Sequence, residues 1–306
     1  MNFKNVLTGL LITVVIGLSF YSNVQAAENN YAGLVISPPI SEKTIEAGKS
    51  DTGKFKITNP TTVDLKINIT TQDFKAQGES GAQQFVSPED NTSYSLAKWI
   101  TVANSFVLKS GEEKEIPYTI NVPAAAEPGG HYGVIFFTPT IDKTVEGSGA
   151  LVIPQIGGLV LVNVPGTITY DAKIAEFNTA KKLYLNTTNI VDLFTRVENL
   201  GNTHFKPTGE IDIYNAFGKK IETLKLNETN GNVLPDSVRK FENAWTKKYG
   251  FGWYSAKVNL TYGPNNNNLS SSLIFWIIPW KETLIAVLLL ALIIWLIRNT
   301  QLKKKS

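Results

Sequence analysis

The chain has 306 residues, no cysteine, two histidines, and 29 basic against 26 acidic side chains, for a net charge of +3. Without cysteine there is no thiol nucleophile and no disulfide, so packing alone must hold the fold. Two histidines leave little for imidazole catalysis, and no enzyme signature of the Gly-x-Ser-x-Gly, Ser-x-x-Lys or His-Glu-x-x-His kind occurs.

In chain order, Lys4 precedes an apolar stretch from Val6 to Phe20 and then the small-residue site Val24-Gln25-Ala26. This pattern predicts an export signal over residues 1–26, cleaved between Ala26 and Ala27. An uncleaved anchor is the alternative.

Short strands follow. Phe55-Lys56-Ile57-Thr58, Leu65 to Thr70, Ile116 to Val122, Tyr132 to Phe136 and Leu159 to Val164 alternate apolar and polar residues. A period of two sends one face into a core and the other into water. Turn clusters at Asn59-Pro60-Thr61, Lys109 to Glu112 and Glu127 to Gly130 separate them. The polar segment from Asp73 to Ser95 reads as a long loop between strands, a binding element or a bare surface loop.

The second half repeats the pattern. Val191 to Asn199, Gly209 to Tyr214, Lys220 to Leu224 and Trp253 to Tyr262 are predicted strands, and Pro264 to Asn268 a flexible run. "FKITNPTTVDLKINI" and "FTRVENLGNTHFKPTGEIDI" each read as strand, Asn-centred turn, strand. The expected fold class is all-β: two tandem Ig-like β-sandwich domains, residues 27–168 and 169–263, with the boundary near Gly166–Asp171.

A juxtamembrane segment is expected over 264–282, then a transmembrane helix with its core at 283–297 and a basic tail at 298–306. Trp280 suits the headgroup layer, while Arg298, Lys303, Lys304 and Lys305 favour a cytoplasmic tail and an ectodomain outside, with membrane lipid as a partner through the helix. A buried soluble helix is the alternative. Setting aside Lys4, Lys281, Arg298, Lys303, Lys304, Lys305 and Glu282 leaves 23 basic and 25 acidic side chains, a net charge near −2. The basic balance thus belongs to the termini, and no nucleic-acid partner is expected. An exported chain without cysteine fits a bacterial surface.

Val35 to Ile40, "GKFKITNPTTVDLKINI", "LKSGEEKEIPYTINVP" and "EPGGHYGVIFF" together resemble the first domain of the WxL-interacting proteins. The likeness extends by motif from about Ala32 to Thr138 and by layout over most of the chain. It implies an Ig-like first domain, related in style to the pilus-chaperone domain and associated with peptidoglycan. It also implies docking of a WxL partner through the second domain. The second half here resembles instead a generic bacterial surface Ig-like module. The expected partner is therefore a cell-wall glycan or an exported surface protein, held without a cofactor. A chaperone-like assembly factor that pairs a sheet edge with an exported subunit is the alternative.

Candidate binding residues are Trp99, Gly129, Gly130, His131 and Tyr132. The glycines would admit a ligand to the backbone, and His131 and Tyr132 would line the spot. The plainer reading makes Pro128-Gly129-Gly130 a turn, puts Tyr132, Val134 and Phe136 in a core, and points His131 to solvent. Trp99 suits a sugar platform or the core equally, Trp253 is expected in the core, and His204 in a turn. Glu112, Glu113 and Glu115 read as a solvated hairpin tip. Glu89-Asp90-Asn91 lacks the spacing of a calcium loop, so no metal is expected.

Overall fold

The computed structural model describes residues 33–90, 92–140, 154–185, 189–247 and 250–303. Ala26, Ala27, Lys304 and Lys305 lie outside them, as does Asn91. Two tandem Ig-like β-sandwiches follow one another, and one apolar helix closes the chain.

The first sandwich holds β1 (Val35–Ser37), β2 (Ile40–Thr44), β3 (Ser50–Thr58), β4 (Leu65–Gln77), β5 (Ala82–Val86), β6 (Ile100–Val102), β7 (Ser105–Leu108), β8 (Glu113–Asn121), β9 (Gly129–Thr140) and β10 (Ile156–Val164). One sheet runs β1-β3-β8-β6. The other runs β2-β10-β9-β4-β5, with β7 also on β4. Pro38 and Pro39 have no N–H to give a ladder, and the first strand changes sheet there: β1 pairs β3, while β2 runs parallel to β10. The alternating positions meet between the sheets, with Phe55 stacked on Tyr118 at 5.1 Å and edge-on to Phe137 at 6.4 Å.

Strand β9 departs from a one-faced pattern. Ile135 and Phe137 enter the sandwich core, whereas Tyr132, Val134 and Phe136 form a second small core with Phe74 and Leu161 on the outer face. The cover is the β4–β5 hairpin, whose Phe85 meets Phe136 edge-on at 4.8 Å. The polar stretch after Asp73 is thus largely an extended hairpin and one short 3-10 turn, Pro88–Asp90, rather than a long loop. His131 does not point to solvent but is 3% exposed.

The second sandwich holds β11 (Ala172–Thr179), β12 (Leu183–Tyr184), β13 (Asn189–Asn199), β14 (Thr208–Asn215), β15 (Lys220–Leu226), β16 (Ser237–Lys247), β17 (Gly252–Tyr262) and β18 (Asn267–Ile277). Its sheets are β11-β13-β16 and β12-β18-β17-β14-β15. The stretch expected to be a flexible run and a juxtamembrane segment is instead a tight turn and a full strand. β18 pairs β17 from Asn267 to Ile277 and buries Leu273, Phe275 and Ile277. The Trp253 expectation is also corrected. Tyr254, Ala256, Val258, Leu260 and Tyr262 take the inward positions of β17, so Trp253 faces out, and the buried tryptophan is Trp245 on β16.

The Asn-centred turns are a shared device. Asn59 and Asn199 are both fully buried at strand ends. Asn59 Nδ2 donates to the Val63, Leu108 and Lys109 carbonyls while its Oδ1 accepts from Thr61. Asn199 Nδ2 donates to the Thr203 and Val233 carbonyls and its Oδ1 accepts from Gly201 N–H. Each side chain ties a turn to a neighbouring strand through groups that would otherwise be buried unpaired.

Helix α1 (Trp280–Lys303) has 24 residues, about 36 Å of rise. Its segment Trp280–Asn299 is long and apolar enough to cross a membrane, and none of it is buried against the sandwiches.

Candidate functional site

Three of the five sequence-selected residues form the junction between the sandwiches. Gly130 N–H donates to the Asn202 carbonyl at 2.9 Å, and Asn202 Nδ2 returns to the Pro128 carbonyl at 3.2 Å. A Cβ on Gly129, whose φ is +135°, would lie 2.6 Å from that Asn202 oxygen, so the glycines serve a domain contact rather than a ligand. Tyr132 is buried beside them. Its hydroxyl lies 3.3 Å from His204 Nδ1, with the rings edge-on at 5.5 Å. Burial pushes the Tyr132 phenol well up and holds His204 down to about 4, so at neutral pH an un-ionised phenol faces an uncharged imidazole. His204 is therefore a junction residue as well as a turn residue.

Glu42 completes the junction. It accepts from Lys206 Nζ at 2.7 Å and Asn232 Nδ2 at 2.8 Å. Burial raises its carboxyl, but these two donors outweigh that and hold it below the usual range.

The other two selected residues come together elsewhere. Trp99 and His131 lie with ring centroids 4.3 Å apart on a groove of about 360 Å³ that Thr92, Ser93, Lys98 and Glu127 also line. Both His131 nitrogens face carbonyls, Nδ1 that of Ser95 at 3.2 Å and Nε2 that of Glu127 at 2.9 Å. A neutral ring satisfies one of them only, and burial pushes His131 toward the neutral form.

A second feature falls outside the sequence reading. The β4–β5 hairpin leans on the second sandwich, where Glu79 Oε2 holds Arg196 Nε at 2.7 Å and the Glu79 carbonyl accepts from Lys240 N–H at 2.8 Å. Arg196 also pairs with Glu176. Behind the hairpin lies an interdomain cavity of about 240 Å³, lined by Ile40, Phe74, Leu159, Leu161, Leu234 and Arg239.

Arg239 is half-buried. It donates to the Asn232 carbonyl at 2.7 Å and lies over the Phe241 ring at 5.6 Å, and it has no carboxylate partner among the described residues. Desolvation lowers its pKa. Gly81 and Gly231 clear its space: a Cβ on either would come within 2.4 Å of the guanidinium. Asn232 Oδ1 beside it is buried without a hydrogen-bond partner. An unpaired cation in an apolar cleft constitutes a site able to take an anionic group attached to an apolar body, and the unused Asn232 oxygen beside it would take a hydrogen-bond donor of the same body.

The cavity opens along β16 into a groove of about 520 Å³ lined by Lys225, Glu228, Lys240, Glu242 and Asn243. β16 is the edge of its sheet. Because Lys240 N–H points away from β13, the alternating groups of Glu242, Ala244 and Thr246 point the same way, and among the described residues the Lys240 bond is the one backbone contact on that side.

Among solved structures, the chain is similar to the class 5 fimbriae chaperone CfaA, at 14% identity over 81% of this chain and 100% of that one, with a TM-score of 0.39. It is similar to the CupB2 chaperone of Pseudomonas aeruginosa, at 8% identity over 79% and 100% with a TM-score of 0.37. The E. coli chaperone DraB gives 12% identity over 79% and 98% with a TM-score of 0.37. No family model matches the chain, and no curated protein matches it.

Proposed function

We propose that this chain is a membrane-anchored, exported binding protein that holds an extended segment of a second exported protein without catalysis, as an assembly factor for surface subunits would. The observation that carries the reading is the unpaired side of β16 leading out of the Arg239 cleft. An added strand along Glu242–Thr246 would satisfy open backbone groups, and a carboxylate in the cleft would meet the guanidinium. The N-terminal export pattern and the basic residues beyond α1 support an ectodomain outside the membrane and a tail inside.

The test is a photo-crosslinker placed at Glu242 of the full chain in intact cells. The expected adduct joins an extended segment of an exported protein, and it disappears in Ala244→Pro, which blocks an added ladder but leaves the β13 side untouched. Equal adduct yield in Ala244→Pro and Ala244→Ser overturns the reading.

The groove at Trp99 favours a second reading, a wall glycan such as peptidoglycan, as the likeness to the WxL-interacting proteins implies. A half-exposed indole beside polar Thr92, Ser93, Lys98 and Glu127 suits a sugar ring. Retention of the full chain on purified peptidoglycan, lost in Trp99→Ala, supports it. Unchanged retention removes it.

A further inference from the structure

The end of the second sandwich that leads into α1 is ringed by large exposed apolar side chains. The strand registers place them there. β18 ends at Ile277 opposite Gly252, Trp276 is level with Trp253, and Asn215 pairs with Tyr254 one row further in. The β14–β15 turn, closed by Gly218 N–H to the Asn215 carbonyl at 2.9 Å, therefore projects beyond that end. Its apex is Phe217, 95% exposed. Phe251, 69% exposed, stands in the loop just before Gly252. Trp253 and Trp276 face outward on the last rows of the sheet, Leu185 lies just past β12, and Trp280 opens the helix, all exposed.

A soluble domain end does not ordinarily collect such side chains on one rim. Chain connectivity says what meets them. Only Ile278 and Pro279 separate β18 from α1. That link is bonded to the sandwich, since Ile278 N–H donates to the Tyr184 carbonyl at 2.8 Å and Trp280 N–H to the Leu185 carbonyl at 3.4 Å. The rim thus cannot swing away from the start of the helix. Once Trp280 sits at headgroup depth, Phe217, Phe251 and Trp276 lie within a few residues' reach of the same plane. Aromatic rings prefer that layer, and Lys182, Lys219 and Lys281 beside them suit its phosphates.

We propose that this rim is a membrane-docking surface: Phe217, Phe251, Trp253, Trp276 and Leu185 enter the interfacial layer of the bilayer in which α1 is anchored, so that the second sandwich rests on the membrane in one orientation. The inference rests on reading α1 as a membrane span.

The chain has no native cysteine, so single-cysteine variants of the full protein carry one probe each. An environment-sensitive fluorophore is placed at Phe217→Cys and Phe251→Cys on the rim, at Thr62→Cys on the far turn of the first sandwich, and at Leu289→Cys within α1. The variants are reconstituted in phosphatidylcholine–phosphatidylglycerol nanodiscs containing lipids spin-labelled at the headgroup or at mid-chain. The expected result is several-fold quenching of the two rim probes by the headgroup label, none at Thr62→Cys, and mid-chain quenching at Leu289→Cys. Rim probes as unquenched as Thr62→Cys, with Leu289→Cys quenched, overturn the docking surface and leave the span intact. No quenching at either place overturns both. Rim probes shielded from an aqueous quencher yet untouched by the lipid label assign the rim to a protein contact and overturn the proposal.

Discussion

Glu79 of the first sandwich and Arg196 of the second meet at 2.7 Å, carboxylate to guanidinium Nε, and beside them the Glu79 carbonyl accepts the Lys240 amide. A hairpin of one domain thereby occupies one backbone position on the edge strand of the other. Arg196→Ala should release it. Hydrogen exchange at the Lys240 amide is then expected to accelerate, while Phe241, whose amide lies on the β13 side, keeps its protection. Equal acceleration at both would mean that the strand itself frays.

The paired asparagines make a sharper energetic prediction. Each buries an amide whose loss leaves several carbonyls and N–H groups without partners. Asn59→Ala and Asn199→Ala should each cost about 2–3 kcal/mol, each confined to its own domain's transition in denaturant. A cost below about 0.5 kcal/mol in either would show that the turn re-forms without its asparagine.

His204 makes stability depend on pH. Burial lowers it from 6.5 to about 4. Between those values the unfolded chain binds a proton that the native chain does not, so stability rises with pH through the window and is lost as pH falls from 6.5 toward 4. The loss is up to roughly 3 kcal/mol. His131, also lowered by burial, acts in the same sense. Carboxylates held low by their partners, among them Asp51 by Lys43 and Asp212 by Thr223, lose their contributions further down, as pH falls through their lowered values. Urea midpoints at pH 4.5 and 7.5 should differ less in His204→Asn than in the parent. An identical difference would assign the effect elsewhere.

Arg239 should trade stability for binding. Arg239→Met removes a half-buried cation without a carboxylate partner, so the melting temperature should hold or rise slightly, while the crosslink at Glu242 is lost. Gly231→Ala should act alike by displacing the guanidinium, because the new Cβ meets only the mobile end of that side chain. A variant that loses stability yet still binds would assign Arg239 a structural role alone.

Phe275 lies against Tyr184, Trp245 and Tyr254 and is fully buried. Phe275→Ala should therefore cost about 3–5 kcal/mol in the second domain. A mutation in a mere linker would cost nothing, so calorimetry separates the two.

The strands with strict alternation were legible from sequence because burial follows a period of two. The misses have physical causes. In β18, Leu273, Phe275 and Ile277 alternate correctly, but the exposed Ile274 and Trp276 fill the gaps and merge the strand with the apolar run of the helix. Trp253 was misplaced by residue type, whereas the even-numbered apolar positions of β17 put it outside. Arg239 carried a readable signal: it shares the parity of Phe241 and Trp245, which face the core. The junction was not legible, since Gly129, Gly130 and Tyr132 meet Asn202 and His204 only through tertiary structure. Nor was the contact of Trp99 with His131, 32 positions apart, since only the fold sets the two rings together.

The two-residue link before α1 also sets an altitude. β18 runs 11 residues, about 33 Å, from its helix end at Ile277 to Asn267, which is level with the start of β14 near the junction. With α1 read as a membrane span, the Arg239 cleft would hang at a fixed height above the lipid surface, about one domain up. On that reading the proposed partner would have to bring its segment to that height, either rising from the bilayer or hanging down from a layer above it, and a protein lying flat in the membrane would pass underneath.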